Sequence, residues 1–586
     1  MTPHKHQQYI LTGLIGMTLA GIGMQGCVQK QPENPNILWI TCEDITPMLS
    51  IYGDKTAQTP YLDSLARKGA MYMNAFANAP VCSPSRSTLI TGVYSTTLGS
   101  QHLRSDVKIP EKIKTYPFYL SQAGYFCTNN DKEDYNFTDS TIWNESSKKA
   151  TWHDRAEGQP FFSIINLEIT HQSKIFGSDS VYHERIKDYL PYITPTSPDA
   201  VVPPPYYPDS PEVRKLWARY YTNVSIMDYQ TGQILKQLRD EHLDDNTIVF
   251  FYSDHGTGMP RSKRAVYDSG LQVPMIIYVP EKYRKALHFK PGTKEERLVS
   301  FLDLGPTVLS IVGIEKPGYM QGQAFMGKYE QPPQKYVYGT SDRVDEAFET
   351  SRTVRSKNFR YIRNFMPQLP LLQPNYYTDK SLIMKELTRL KDEGNLTPAQ
   401  QDMFAATRAP EELYDANTDP YEIHNLAASP AFHDTLLHYR KLMDRWVMDT
   451  YDTGLMPEPI MHKLAEGSTP YAVAHDSAVY PLRKILDVTS LMIPGNKDDQ
   501  KLVEYLGAVN QFVRYWAVIT AESNETYDQN VVKALKERLT DEVPLVKIEA
   551  AAALIKAGQP ESEPLKVIEN YLRDEDSYVQ LYAARA

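Results

Sequence analysis

The sequence predicts an α/β protein: a mixed or parallel sheet flanked by helices, a smaller α+β subdomain, and a helical repeat segment at the end. Three observations carry this. First, the apolar runs Asn36–Cys42 (NILWITC), Phe161–Leu167 (FFSIINL) and Thr247–Tyr252 (TIVFFY) read as strands buried on both faces. Second, each run ends in polar residues: Glu43 and Asp44, then Glu168 and His171, then Asp254 and His255. Polar groups delivered at the same end of several parallel strands mark a site at that end of an open sheet. Third, Val513, Val546 and Val579 each begin a similar pentapeptide at a spacing of 33 residues, the signature of stacked helix pairs.

Composition sets the outer limits. The 586 residues carry a net charge of −10 and 41% hydrophobic side chains, enough length and apolar content for several domains around large cores. The acidic balance excludes general binding to nucleic acid, so an anionic substrate needs a local cluster of cations. Four cysteines exclude a disulfide scaffold. Cys42 and Cys127 lie on strand-like runs and read as unpaired core residues, with a bridge between them left open.

Taken in order, the N-terminus carries Lys5 and no acid, then an apolar run Tyr9–Met24 of signal-peptide length that closes on Gly26-Cys27. Residues 1–27 therefore read as a signal. A catalytic domain is expected over 34–345, with a helix Ser210–Glu241 after the Pro-rich loop Pro203–Pro211. A smaller subdomain is expected over 346–476, where YVYGTS and FRYIRN are short strand-like pieces and Leu369–Ala406 is a polar, helical insertion. Helical repeats fill 477–586. They carry no chemistry and read as a structural or docking appendage, with a protein partner or an oligomer contact as their use.

The stretch Cys82-Ser-Pro-Ser-Arg86, running on to Thr91-Gly92, is the most informative. Ser83 is suited to cap a helix, with Pro84 at its first position and Gly92 as its stop. Cys82 is then at a helix N-terminus, where partial positive charge favours anions, and Arg86 lies one turn in. This stretch resembles the signature of the formylglycine-dependent (type I) sulfatases of the alkaline phosphatase superfamily. Tyr61–Gly69, Asn74–Ala79, Ser121–Tyr125, Asp303-Leu-Gly-Pro-Thr307 and Pro410–Ala427 also resemble segments of that family, so the likeness spans roughly residues 34 to 427. The helix around Tyr220–Asp228 is most similar to N-sulfoglucosamine sulfohydrolases and related heparan or glycan enzymes. The repeats resemble HEAT-type helix pairs.

The resemblance implies an alkaline-phosphatase-like fold and a site. Cys82 would be converted to formylglycine by a maturation enzyme, and its hydrate would attack sulfur. One calcium ion would be bound by Glu43, Asp44, Asp254 and His255. Hard oxygen donors suit that ion. Arg86, Lys132 and Lys263, with Arg264 as the alternative to Lys263, would balance charge on the sulfuryl oxygens, and His171 would serve the leaving group. Asp134 stands where the family has a histidine, with His102 and His153 as replacements for it. His102, Arg104, Asp134 and Arg264 are the candidate sugar contacts. The expected substrate is a sulfated sugar or oligosaccharide bearing a sulfuric ester or sulfamate. The alternatives are a phosphoester or phosphonate hydrolase of the same superfamily, and a non-catalytic sulfated-glycan-binding lipoprotein. Gly26-Cys27 resembles a bacterial lipoprotein cleavage site, which implies lipid on Cys27, membrane attachment, and export to the periplasm or outer membrane, the cell surface included.

Overall fold

The computed structural model describes residues 34–139, 142–524 and 528–586. Cys27 and the rest of the expected signal lie outside the described residues. Residues 34–586 form one compact unit.

Its centre is an eight-stranded sheet of β1 (Asn36–Cys42), β2 (Ala70–Phe76), β3 (Phe126–Asn130), β4 (Glu145–Ser146), β5 (Phe161–Leu167), β6 (Thr247–Ser253), β7 (Gln272–Tyr278) and β8 (Thr293–Ser300). The spatial order is β4-β3-β5-β1-β6-β7-β2-β8. Only β7 runs against its neighbours. The three apolar runs are thus the three central strands. All seven residues of β1 and of β6 are buried, as strands covered on both faces require. Alternate residues of β1 serve opposite layers. Leu38 and Ile40 face the layer that holds Trp217 and Val224 of the helix Pro211–Asp240. Ile37 and Trp39 face the layer that holds Leu89, Leu120 and Val308. Trp39 is packed by Phe162, Phe250, Tyr116 and Tyr252, with ring centroids 5.2–5.7 Å away.

Register is what builds the site. Cys42 pairs with Leu167 on one side and with Ser253 on the other. Residues 43–44, 168 and 254 therefore leave the sheet at one level.

A second, antiparallel sheet holds β9 (Val337–Ser341), β10 (Ser351–Arg355), β11 (Phe359–Asn364) and β12 (Glu411–Asp415), in the order β12-β11-β10-β9. Of its strands, β9 lies before residue 346. The insertion forms the helix Leu382–Asp392, whose Ile383, Met384 and Leu387 join the core beside the helix Pro211–Asp240. From Leu482 onward the chain is helical. Gln511–Ser523, Pro544–Lys556 and Ser577–Arg585 are the three related helices, with Val513, Val546 and Val579 all buried. This array is not set apart from the rest. One apolar core runs from Val354, Tyr361 and Leu413 of the small sheet to Trp516, Ala550 and Tyr582 of the array. Trp516 donates its indole N–H to the Leu455 carbonyl at 2.7 Å. The cysteines Cys42, Cys82 and Cys127 are buried and free.

Candidate active site

The helix Cys82–Thr91 starts at Cys82 itself, two residues earlier than capping by Ser83 requires. Its N-cap is Val81, with no side-chain cap, so the expected role of Ser83 is corrected. The Ser83 hydroxyl instead accepts from the backbone N–H of Arg104 at 3.3 Å. Ser85 ties the helix to the sheet by donating to the Asp254 carbonyl at 2.6 Å. Gly92 ends the helix with a left-handed φ of 67°, as its position predicts.

Cys82 lies on the floor of a cavity of about 380 Å³. His255 Nε2 is 3.3 Å from its Sγ and Lys263 Nζ is 3.5 Å away. Lys263 Nζ also reaches Asp44 Oδ1 at 2.9 Å. Arg86 Nη2 lies between Asp254 Oδ2 at 3.2 Å and Glu43 Oε1 at 3.3 Å. Lys132 pairs with the same Glu43 oxygen, and Asp134 Oδ2 is 3.7 Å from its ammonium. Three cations thus face three carboxylates, each acid no more than 2% exposed. Full burial of so many charges is tolerated only because they compensate one another.

The electrostatics follow. Burial alone would raise the Cys82 thiol; Lys263, with Lys132 and His255, outweighs that and the Asp254 charge, and brings it down to about 6. The spot therefore favours an anion on residue 82. Burial also pushes Asp44 and Asp254 upward, but Lys263 and His171 on the first and His255 and Arg86 on the second hold both below the usual carboxylate range. Burial would lower His255, and the Asp254 charge reverses this.

Local backbone geometry places these groups. Asp44 has φ 56°, a left-handed turn at the end of β1 that brings its N–H to Asp254 Oδ1 at 3.2 Å. Its Oδ2 accepts from the Gln172 N–H at 2.7 Å. Gly258 lets the chain pass close by: a Cβ there would lie 2.7 Å from Asp44 Oδ2. His255 Nδ1 is 2.9 Å from the Gly256 carbonyl, so it donates there and leaves Nε2 facing Cys82 and Asp44. His171 caps a short helix, its Nδ1 accepting from the Ser173 N–H at 3.3 Å. One of its ring nitrogens lies within 4.8 Å of both an Asp44 oxygen and Cys82 Sγ.

Of the remaining expected residues, Arg104, Asp134 and Arg264 line the cavity. The structure places His102 and His153 elsewhere. His102 is buried with Nδ1 3.9 Å from Glu458, and His153 pairs with Glu241 at the surface. Neither stands in for the missing histidine; the imidazoles beside Cys82 are His171 and His255. Sequence reasoning missed Asn166, whose Oδ1 accepts from Arg86 Nη1 and from the Thr41 hydroxyl, both at 2.8 Å. The signal was an amide inside the apolar run of β5. It also missed Tyr377, which the insertion brings to the cavity beside Ser173.

The donor set fits a hard divalent cation. Carboxylates of Glu43, Asp44 and Asp254 leave two neighbouring strand ends, and the main chain of Asp44 already bonds Asp254.

A family model described as Sulfatase matches residues 35–314. An ulvan-active sulfatase of Formosa agariphila is 37% identical over 490 residues, which cover 77% of this chain and 81% of that protein. Human N-sulphoglucosamine sulphohydrolase is 27% identical over 473 residues, covering 73% of this chain and 92% of that protein. Among solved structures, that of BT4656 in complex with D-glucosamine-2-N,6-O-disulfate is similar with a TM-score of 0.51 and 16% identity, over 72% of this chain and 98% of that one.

Proposed function

From the premise that this chain belongs to the sulfatase family, we propose that it removes sulfate from a sulfated glycan fragment, with formylglycine formed from Cys82 as the nucleophile and one calcium ion as cofactor. The observation that carries the reading is Cys82 at the floor of the cavity, 3.5 Å from Lys263 Nζ and within the field of Lys132. The modified residue would supply a geminal diol, one hydroxyl for attack on sulfur and one for release of sulfate. Calcium, held by Glu43, Asp44 and Asp254 with His255 beside them, would supply charge neutralisation at the sulfuryl oxygens.

The chain's own residues do the rest. Lys132 and Lys263 line the cavity and Arg86 braces Glu43 and Asp254 beneath it, so this fixed positive charge favours charge gathered there without reorganising. The Ser173 N–H holds His171 Nδ1 as an acceptor, so the other ring nitrogen carries the proton. His171 therefore donates to the departing sugar oxygen or nitrogen. Asp134, beside Lys132, steadies that ammonium in place of the family histidine.

The N-terminus is read as a lipoprotein signal, which puts the mature protein on a bacterial envelope membrane through Cys27. The C-terminal array is read as HEAT-like. The relatives support an ulvan-type or N-sulfoglucosamine-containing oligosaccharide as the substrate.

The test is a panel of singly sulfated mono- and disaccharides, with the matching phosphate monoesters as controls. The protein is produced with a formylglycine-generating enzyme, and intact mass is read on the Cys82 peptide. Sulfate release, formylglycine at position 82, and loss of turnover with a calcium chelator that calcium reverses support the reading. Preferred turnover of phosphate esters would replace it with the phosphohydrolase alternative. A plain thiol at position 82 in protein that binds sulfated sugars without turning them over would replace it with a binding protein.

A further inference from the structure

Eleven described residues other than glycine have a left-handed φ, and five of them line this one cavity: Arg104, Asp131, Asp134, Arg264 and Asp345. Such conformations are strained and persist only where the surroundings over-determine them. What holds three of them, Arg104, Arg264 and Asp345, is visible.

Asp345 opens a two-residue turn closed by reciprocal backbone hydrogen bonds between Val344 and Ala347, both 3.0 Å. Its carboxylate is 3.2 Å from Arg264 Nη2 across the mouth of the cavity. Arg264 is pinned through its main chain, its N–H donating to Pro80 at 2.9 Å and its carbonyl accepting from the Ser341 hydroxyl at 2.7 Å. The Nε of Arg264 is buried and has no partner among the described residues. Arg104 presents an exposed guanidinium on the same cavity.

Arg343, 8% exposed, ties the segments together. Its Nη1 donates to the Asp345 carbonyl at 3.0 Å and its Nη2 to the Leu103 carbonyl at 3.2 Å. The Leu103 N–H returns a bond to the Arg343 carbonyl at 3.1 Å. Two strained residues of the cavity rim therefore stand next to backbone that one guanidinium grips. The same fork pairs with Glu458, Nη2 to Oε1 at 2.9 Å. The last helix backs it: the Tyr578 ring lies 5.6 Å from the Arg343 guanidinium, and Tyr582 packs edge-on against Phe348 of the same loop at 4.6 Å.

Resting on the proposed sulfatase reading, we infer that Arg104, Arg264 and Asp345 form a recognition wall for the sugar hydroxyls next to the sulfate, and that Arg343 is the positioning residue that sets it. An Arg–Asp pair offers donors and an acceptor side by side, the complement of two neighbouring hydroxyls. The wall shares its cavity with Lys132 and Lys263, but the Arg264 guanidinium is already paired with Asp345, which turns the pair toward the sugar rather than the sulfate. The C-terminal array thereby gains a role in substrate selection through Tyr578.

The test uses binding in a Cys82→Ala background, which needs no maturation and no turnover. Arg343→Lys keeps a charge beside Glu458 but loses the planar fork that grips two carbonyls. It is expected to weaken binding of a sulfated disaccharide about tenfold while leaving inorganic sulfate unchanged, by calorimetry. Asp345→Asn and Tyr578→Ala are expected to show the same split, and Arg343→Lys with Asp345→Asn to be no weaker than the worse single variant. Equal losses for sulfate and disaccharide, or no loss for either with a native far-UV and near-UV spectrum, would overturn the inference. If these splits hold in the Cys82→Ala background while the matured parent protein turns nothing over, the wall stands and the proposed catalysis falls.

Discussion

Two of the clusters in which the described residues bury arginine with carboxylates do different things. Arg86 sits with Glu43, Asp44, Asp254, Lys132 and Lys263 where the central strands end. Arg352 of the small sheet sits with Asp342 and Asp452, all three side chains fully buried. The second cluster is closed. Arg352 makes two bonds to each aspartate and also donates to the Ser341 and Ser351 carbonyls. Gly454 lies against it so tightly that a Cβ would fall 1.9 Å from Arg352 Nη2. The first cluster opens on a cavity, and Cys82 and two lysines of that cluster face the space. The lesson is that burial and charge do not mark a site. A cavity that reaches them does, because only there can a ligand meet the charged groups, here Cys82, Lys132 and Lys263.

The largest expected break of this comparison is at Cys82. Cys82→Ala should reduce turnover of the matured enzyme on the order of 10⁴-fold or more, since it removes the proposed nucleophile. Its melting temperature should stay within a few degrees of the parent. Comparable residual activity would show that the cavity floor is not where bonds are made.

Arg352→Met should do the reverse. It leaves Asp342 and Asp452 buried without their cation, a change that typically costs about 3–5 kcal/mol. Chemical denaturation should show that loss, while kcat/KM of the protein still folded stays within about twofold. A selective fall in kcat/KM without a stability change would erase the distinction between the two clusters. Between these lies Lys263→Ala. Lys263 touches both Asp44 and Cys82, so its loss should cost about 10²–10³-fold in kcat, the scale seen when one fixed transition-state donor is removed.

Much of this was legible from residues alone. The apolar runs placed β1, β5 and β6, and their polar ends placed the acids, because a strand buried on both faces has few places to put a carboxylate. The spacing of Val513, Val546 and Val579 placed the three related helices. What was not legible is tertiary. Ser83 looked like a cap, yet it bonds Arg104, which is distant in sequence. His102 looked available to a substrate, yet it is buried beside Glu458, more than 350 residues away. The array looked like an appendage, yet its helices complete the core under the small sheet. The Arg343 clamp joins residues 103, 343, 345, 458 and 578, and no local pattern announces such a meeting.

The array also offers the smallest and most specific test. Glu522 and Glu549 lie there with a single neighbouring arginine, Arg585, which pairs with Glu549. One oxygen of each glutamate has no partner among the described residues. The exposed Lys556 adds a smaller opposing charge than Arg585, so these two acids are incompletely compensated, whereas the Arg86 cluster matches three acids with three cations. Burial pushes Glu522 up to about 7, with the Glu549 charge adding and Arg585 opposing. A carboxyl raised in the folded state is carried without penalty while it is protonated in both states, below about pH 4. Its cost appears as pH rises past the unfolded value and is complete above pH 7. Glu522→Gln removes that titration and keeps the shape. The variant should therefore match the parent near pH 4.5 and exceed its stability by about 1–2 kcal/mol at pH 8, in urea titrations at both values. A gain of the same size at both pH values would mean that packing, and not the proton, distinguishes the two chains.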